Sequence, residues 1–338
     1  MARDKWNSKT SRLVRFRLCN VSSYTTELLE IVSQDPALHV LFIPGNPGLA
    51  FVMILFYFCL GECYIGGLFQ FLVCCGVIGV VSFYKDFLES LYEFLGGTAS
   101  VTVIGHISHT KKNWEGGKLF SLQQQIDHKV DFIQQELQKK EIPIVLVGHS
   151  IGAYISIETL RRCQDKVIYY VGLYPFLMFN PLSKKQPTYK KVSESPVISA
   201  LLSFCIGSLG LLPKCARRSL VSKTIGKSWS APAIDAACSH LLRYHTFRNM
   251  LFLAQSEFRE LSEAPDWTFM RENKRKITFL FGVDDHWGPL EMYEEISKQV
   301  PEICMSIERQ GLAHSFCCTE AGSVWIARHV TSLIKNIR

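Results

Sequence analysis

Apolar positions along the chain follow two alternating rhythms. Residues 11–34 alternate apolar and polar loosely and predict a β-hairpin. "HVLFIPGNPG" (39–48) predicts a buried strand running into a loop of two prolines and two glycines. Helical spacing follows in "YKDFLESLYEFL" (84–95), then a second buried strand in "ASVTVIGH" (99–106) and an amphipathic helix in "LQQQIDHKVDFIQQELQ" (122–138). "IPIVLVGHS" (142–150) reads as a strand, "GAYISIETLRRC" (152–163) as a helix and "VIYYVGLYP" (167–175) as a strand. After a long irregular region come the strand "KITFLFGVDD" (276–285), the helix "LEMYEEISKQV" (290–300), the strand "CMSIERQG" (304–311) and a terminal helix at 322–337. Strands alternating with helices predict the α/β class, a mostly parallel central sheet with helices on both faces. No internal repeat is visible.

Two stretches break this rhythm. "LAFVMILFYFCLGECYIGGLFQFLVCCGVIG" (49–79) carries only Glu62 and Gln70 as clearly polar residues. "PVISALLSFCIGSLGLLP" (196–213) is apolar and bounded by prolines, with Lys184, Lys185, Lys190 and Lys191 before it and Lys214, Arg217 and Arg218 after it. A single transmembrane span at either place would divide the strands of one sheet between two sides of a bilayer. Residues 196–213 must therefore enter and return if they meet a membrane, and basic flanks suit shallow insertion into an anionic surface. A buried pair of lid helices is the alternative. Halved at Gly66-Gly67, the first stretch gives arms of roughly fifteen residues, each about 23 Å long as helix. The hydrocarbon core is about 30 Å thick, so a shallow hairpin is the only membrane element it could form.

Composition narrows the choice. The 338 residues carry 37 Lys and Arg against 30 Asp and Glu, a net charge of +7, with the basic clusters beside apolar runs. No basic–aromatic module for nucleic acid appears. Twelve scattered cysteines, two pairs of them adjacent, follow a charged N-terminal stretch with no apolar core behind it. They read as reduced thiols of a cytosol-facing protein, which makes the Asn20-Val21-Ser22 sequon a chance match. The chain is long enough for one domain, taken here as 11–338, with 49–79 as an insertion and 176–270 as a lid region.

The candidate chemistry centres on Gly148-His149-Ser150-Ile151-Gly152, placed between an apolar strand and a helix. A serine hydroxyl needs a general base to remove its proton and a carboxylate to orient that base. G-x-S-x-G at a strand-to-helix turn is the nucleophile elbow of α/β-hydrolases, whose chain order is Ser, acid, His. "ITFLFGVDDHWGP" delivers Asp285, with Asp284 as competitor, at the end of a later strand. "RQGLAHSF" delivers His314 after the last strand. Read separately, Ser150 is an ordinary turn residue, Asp285 a helix N-cap and His314 a surface histidine. The order 150, 285, 314 at three strand ends favours a triad. An oxyanion hole needs two backbone N–H donors. Ile151 supplies one; in "PGNPG" the prolines have none, which leaves Asn46 or Gly45, with Asn46 preferred.

"LFIPGNPG", "SFYKDF", "VLVGHSIGAY", "FGVDDHW" and "AHSF" together resemble the lipid droplet-associated hydrolase family. The resemblance covers most of the chain and breaks over 49–79. Deleting 49–79 gives "PGNPGVVSFYKDFLESLY", which restores the family-like join, so the stretch is read as translated intron ahead of a genuine anchor. The resemblance implies an α/β-hydrolase with Ser150 as nucleophile, Asp285 as acid and His314 as base, residing on the endoplasmic reticulum and lipid droplets. It also implies lipid esters as substrates. "GHISH" (105–109) only loosely matches the family's histidine-rich turn, so the roles of His106 and His109 stay open, with the pocket rim preferred to a catalytic role. The resulting expectation is a serine esterase or lipase using no metal or cofactor, on the cytosolic face of those membranes. A non-catalytic membrane protein using the scaffold for binding is the alternative.

Overall fold

The computed structural model describes residues 13–46, 79–137, 141–224 and 226–337. The stretch 49–79 therefore lies outside the described residues except for Gly79, and neither reading of it is addressed.

Strands β1 (Arg15–Val21) and β2 (Tyr24–Ile31) form the expected hairpin, followed by β3 (Leu38–Ile43). Helix α1 (Lys85–Phe94) follows a single 3-10 turn at Val81–Tyr84, then β4 (Ala99–Ile104) and α2 (Leu122–Phe132). Next come β5 (Ile144–His149), α3 (Ile151–Arg162) and β6 (Val167–Leu173). The last elements are β7 (Ile277–Gly282), α10 (Leu290–Gln299), β8 (Cys304–Glu308) and α11 (Glu320–Lys335). Between β6 and β7 lie six helices: α4 (Gln186–Glu194), α5 (Pro196–Leu209), α6 (Lys214–Thr224), α7 (Ala231–Ala236), α8 (Tyr244–Glu260) and α9 (Trp267–Glu272).

The eight strands form one sheet in the order β1-β2-β4-β3-β5-β6-β7-β8, antiparallel at its first two pairings and parallel from β4 onward. Parallel strands covered by helices on both faces need apolar residues at nearly every position. "ASVTVI", "IVLVGH" and "ITFLFG" meet that demand, and every residue of β4, β5 and β7 is buried. Helix starts obey local chemistry. Ser121 and Gln124 form a reciprocal capping box at α2, and the Thr319 hydroxyl accepts the Gly322 N–H (3.1 Å) at α11. Helix α1 packs on α11 and α2 on α3.

One close approach fixes the strand ends that matter for chemistry. Gly152, in the first turn of α3, sits against the end of β3 so tightly that a Cβ there would lie 2.2 Å from the Ile43 carbonyl oxygen and 2.5 Å from that of Pro44. A Cβ at Gly148 would lie 2.3 Å from the Gly152 carbonyl oxygen. Both glycines are needed for space.

Gly152→Ala should force β3 and α3 apart. The expected cost is about 1–3 kcal/mol, as for other overpacked interiors, seen as a lower urea midpoint. An unchanged midpoint would show that the contact can open freely.

Candidate active site

Ser150 stands between β5 and α3 with φ 56 and ψ −123, a conformation that an L-residue adopts only under constraint. The constraint is backbone bonding. The Ser150 N–H donates to the Leu173 carbonyl (3.0 Å), and the Ser150 carbonyl accepts the N–H groups of Ala153 (3.0 Å) and Phe176 (3.1 Å). The turn is thus held from the neighbouring strand β6 as well as from its own helix. Tyr174, just past β6, also has positive φ (46) and donates its N–H to Leu280 of β7 (2.7 Å).

Asp285 and His314 meet across the ends of β7 and β8. His314 Nδ1 lies 2.9 Å from the Asp285 carboxylate, and both side chains are almost fully buried. A carboxylate on Nδ1 fixes the tautomer: Nδ1 carries the proton and Nε2 is left as the basic nitrogen. The other Asp285 oxygen accepts the Trp287 N–H (2.9 Å), which orients the carboxylate. Helix α10 starts at Leu290 with Pro289 before it and no side-chain cap, so Asp285 is not its N-cap. Asp284 is exposed. The loop that carries His314 is shaped by buried Glu308, whose carboxylate accepts the N–H groups of Gln310 and Leu312.

His149 joins the two halves of the site. Its ring lies 5.0 Å from that of His314 and 4.8 Å from that of Phe316, so His314 is packed on the residue preceding Ser150. Burial, and then the proximity of His314, keep the His149 pKa well below the usual range and the ring neutral. Its Nδ1 therefore accepts the Tyr84 hydroxyl (2.9 Å). Tyr84 Oη in turn lies 3.4 Å from the Gly45 N–H. Chain from both sides of residues 47–78 thus closes over the turn that holds the serine, and Phe42, Tyr84, Phe87 and Phe316 form an aromatic floor beneath it.

The loop after β3 holds the second expected donor. Asn46 is tied by its side chain, whose Nδ2 donates to the Met250 carbonyl of α8 (3.0 Å). Ile151 opens α3, where a backbone N–H has no partner within the helix. His106 and His109 require a correction. They are 0% and 1% exposed, buried beneath this loop rather than set on a rim, because His106 Nε2 lies 3.1 Å from the Pro44 carbonyl and 3.2 Å from that of Gly45.

Glu257 and Glu308 lie outside the motifs, and Tyr84 and His106, although inside "SFYKDF" and "GHISH", make contacts that those motifs do not reveal. Among the described residues no group of three or more His, Cys, Asp or Glu is arranged to hold a metal ion. None of the eight described cysteines is in a disulfide.

The site thus combines a serine on a strained turn with an imidazole held by a carboxylate. A model of the lipid-droplet associated hydrolase family matches residues 69–317. The chain belongs to that family. The match begins inside the apolar stretch 49–79. The lipid droplet-associated hydrolase of Gallus gallus is 26% identical over 73% of this chain and 79% of its own length. The Homo sapiens protein of the same name is 25% identical over 83% and 80%. Solved structures share the fold. A haloalkane dehalogenase from Agrobacterium tumefaciens aligns with TM-score 0.63 at 11% identity, covering 97% of this chain and 99% of its own. An epoxide hydrolase from Vigna radiata aligns with TM-score 0.58 at 14% identity, covering 96% and 99%. The fold is that of α/β-hydrolases, and the family is one of hydrolases.

Glu257 of α8 adds a pH dependence. Burial pushes its carboxyl up to about 8, opposed only by the Asn46 amide. The folded chain thus keeps a proton that the unfolded chain releases near the ordinary carboxylate range. Stability therefore falls as pH rises from about 4.5 towards about 8. Above that, an unpaired charge forms beside the Asn46 loop. The rate of ester hydrolysis should decline with an alkaline limb near pH 8, and Glu257→Gln should flatten it. An identical limb in the variant would assign it elsewhere.

Proposed function

We propose that the chain is a serine hydrolase that cleaves lipid esters through an acyl-enzyme intermediate at the cytosolic surface of lipid droplets and the endoplasmic reticulum. The observation that carries the chemistry is the buried His314–Asp285 couple, 2.9 Å long, packed against the strained turn that presents Ser150. His314 Nε2 takes the Ser150 hydroxyl proton as Oγ attacks the ester carbonyl carbon. The carbonyl π pair moves onto oxygen, where the N–H groups of Ile151 and Asn46 receive it. Collapse expels the alcohol, which leaves with the proton held by His314. Water then attacks the acyl-enzyme, giving a proton to His314, and collapse breaks the bond to Ser150 Oγ, which takes that proton back from His314 as the acid is released. Asp285 stabilises the imidazolium at both steps.

The surface reading rests on the outward face of one helix. In α5 the residues facing the protein include Ser199 and Ser203, whose hydroxyls bond back to Val192 (3.3 Å) and Ser199 (2.6 Å) carbonyls. The outward residues are Val197 (77% exposed), Leu201 (56%) and Phe204 (65%), and Leu211 just beyond is 86% exposed. Leu202 and Ile206 are buried beside the two serines, so the helix is apolar on both sides, and its exposed apolar face suits contact with something apolar. Gly207 and Gly210 let it sit close to the start of α8, where a Cβ at Gly210 would lie 1.9 Å from the Leu242 carbonyl oxygen. Exposed Lys184, Lys191 and Lys214 rim the patch. No single helix among the described residues is long and apolar enough to cross a bilayer, and α4 meets α5 at 92°. Residues 196–209 form one helix along the surface rather than a hairpin. This placement supports attachment from one side, with α4–α9 serving as the lid.

Ser150→Ala should abolish labelling by a fluorophosphonate probe. Asp285→Asn should cut ester hydrolysis by on the order of ten-thousandfold, the scale of other triads, while Asp284→Asn stays near wild type. Undiminished labelling of Ser150→Ala removes the serine from the mechanism, and cellular effects that survive it would favour the scaffold as a binding platform. Leu201→Ser, Phe204→Ser and Leu211→Ser combined should release the protein from artificial droplets in flotation, since each apolar side chain contributes about 1.5–3 kcal/mol on burial. Unchanged flotation would place the attachment elsewhere.

A further inference from the structure

The bonds at the end of β4 converge on the loop after β3. Gly105 is locked three ways: its N–H donates to the Glu27 carbonyl (2.9 Å), and its carbonyl accepts Lys129 Nζ (2.8 Å) and the Thr26 hydroxyl (3.1 Å). A Cβ at Gly105 would lie 3.0 Å from the Glu27 carbonyl oxygen, so the backbone here has little freedom. The next residue, His106, is fully buried, and its carbonyl accepts the His109 N–H (3.1 Å). Its ring is therefore anchored at the backbone before it reaches anything else.

What the ring reaches is a pair of consecutive carbonyls, Pro44 at 3.1 Å and Gly45 at 3.2 Å from Nε2. Carbonyls only accept, so Nε2 carries the proton and Nδ1 bears the lone pair. Among the described residues no hydrogen bond reaches Nδ1, and the ring edge meets His109 at a centroid distance of 5.3 Å. Burial, then Lys129 and His109, keep this imidazole neutral.

A trans peptide points its C=O and N–H in opposite directions. Holding the Gly45 carbonyl down on His106 therefore turns the Asn46 N–H the other way. Holding the Pro44 carbonyl does the same for the Gly45 N–H, which faces Tyr84 Oη. The Asn46 amide bond to Met250 steadies the loop at its other side. We propose that His106 is a positioning residue: one imidazole N–H shared by the Pro44 and Gly45 carbonyls aims the Asn46 N–H at the oxyanion. It never touches substrate. The inference rests on the serine mechanism proposed above and deepens it.

The test uses the full chain with His106→Leu, His106→Gln and His106→Asn, a soluble ester, and a trifluoromethyl ketone whose serine adduct carries an oxyanion. His106→Leu should lower kcat by on the order of a hundredfold, the scale of a 1 Å misplacement, with KM nearly unchanged and ketone affinity falling in parallel with kcat. His106→Gln, whose Nε2 amide sits where the ring Nε2 does, should recover most of the loss; His106→Asn, too short, should not. A kcat unaltered in His106→Leu overturns the proposal. So does equal impairment of the Leu and Gln variants accompanied by a matching fall in melting temperature.

If the leucine variant does not fold, the wild-type ring decides. Nitrogen-15 spectra should show a neutral Nε2–H tautomer throughout about pH 5 to 8, where a free histidine titrates. An Nδ1–H tautomer or a titrating ring overturns the assignment. A wild type that no fluorophosphonate labels at Ser150 overturns the serine mechanism and this inference together. A labelled wild type with an indifferent His106→Leu overturns this inference alone.

Discussion

The site depends on one strained residue. Ser150 at φ 56, ψ −123 occupies a backbone region that costs on the order of 1–3 kcal/mol to hold. It persists because its N–H and carbonyl are bound to β6 and the segment after it, and because glycines at 148 and 152 leave room for the chain to turn. A relaxed turn would need a different distance between β5 and α3. The same contact that permits the turn presses the first turn of α3 onto Ile43 and Pro44. Ser150, Ile151 and the loop after β3 are therefore one mechanical unit: none can shift without the others.

This explains why the motifs were legible and their supports were not. G-x-S-x-G, Asp285 and His314 each follow an apolar strand, and in a parallel sheet the ends of successive strands come to one edge, so chain order alone brings them together. The element boundaries moved by only a few residues for the same reason: strands covered on both faces show as unbroken apolar runs. Tyr84, His106, Glu257 and Glu308 act through contacts with residues distant in sequence. Tyr84 reaches His149 and Gly45, and His106 reaches Pro44 and Gly45, across separations no local pattern encodes. A histidine just past a strand looks the same in sequence whether it lines a rim or is buried beneath a neighbouring loop. His106 read as rim because only the β3–β4 pairing sets what lies above it.

The lid region shows a complementary limit. Composition located the apolar run at 196–213 and its basic flanks, but not which way it faces. On its inner side Leu202 and Ile206 are buried beside Ser199 and Ser203, Gly207 and Gly210 permit a close approach to the start of α8, and Leu201 and Phe204 are left outside. A short helix that is apolar on its outer as well as its inner side suits the proposed surface contact without being long enough to span a bilayer.

Around the Asp285–His314 couple burial disfavours charge on several side chains. His106, His109, Lys129 and His149 are each pushed below their ordinary range by desolvation, His109 to about 3, and Glu257 is pushed up to about 8. The three imidazoles and the Glu257 carboxyl are therefore neutral near pH 7. In a low-dielectric setting a fixed charge at any of these positions would dominate the field at the reacting carbon. With those charges suppressed, the proposed mechanism relies on oriented backbone N–H groups and on the Asp285–His314 pair. Preorganised dipoles need no reorganisation when charge develops. A core crowded with neutral histidines is thus compatible with the proposed chemistry.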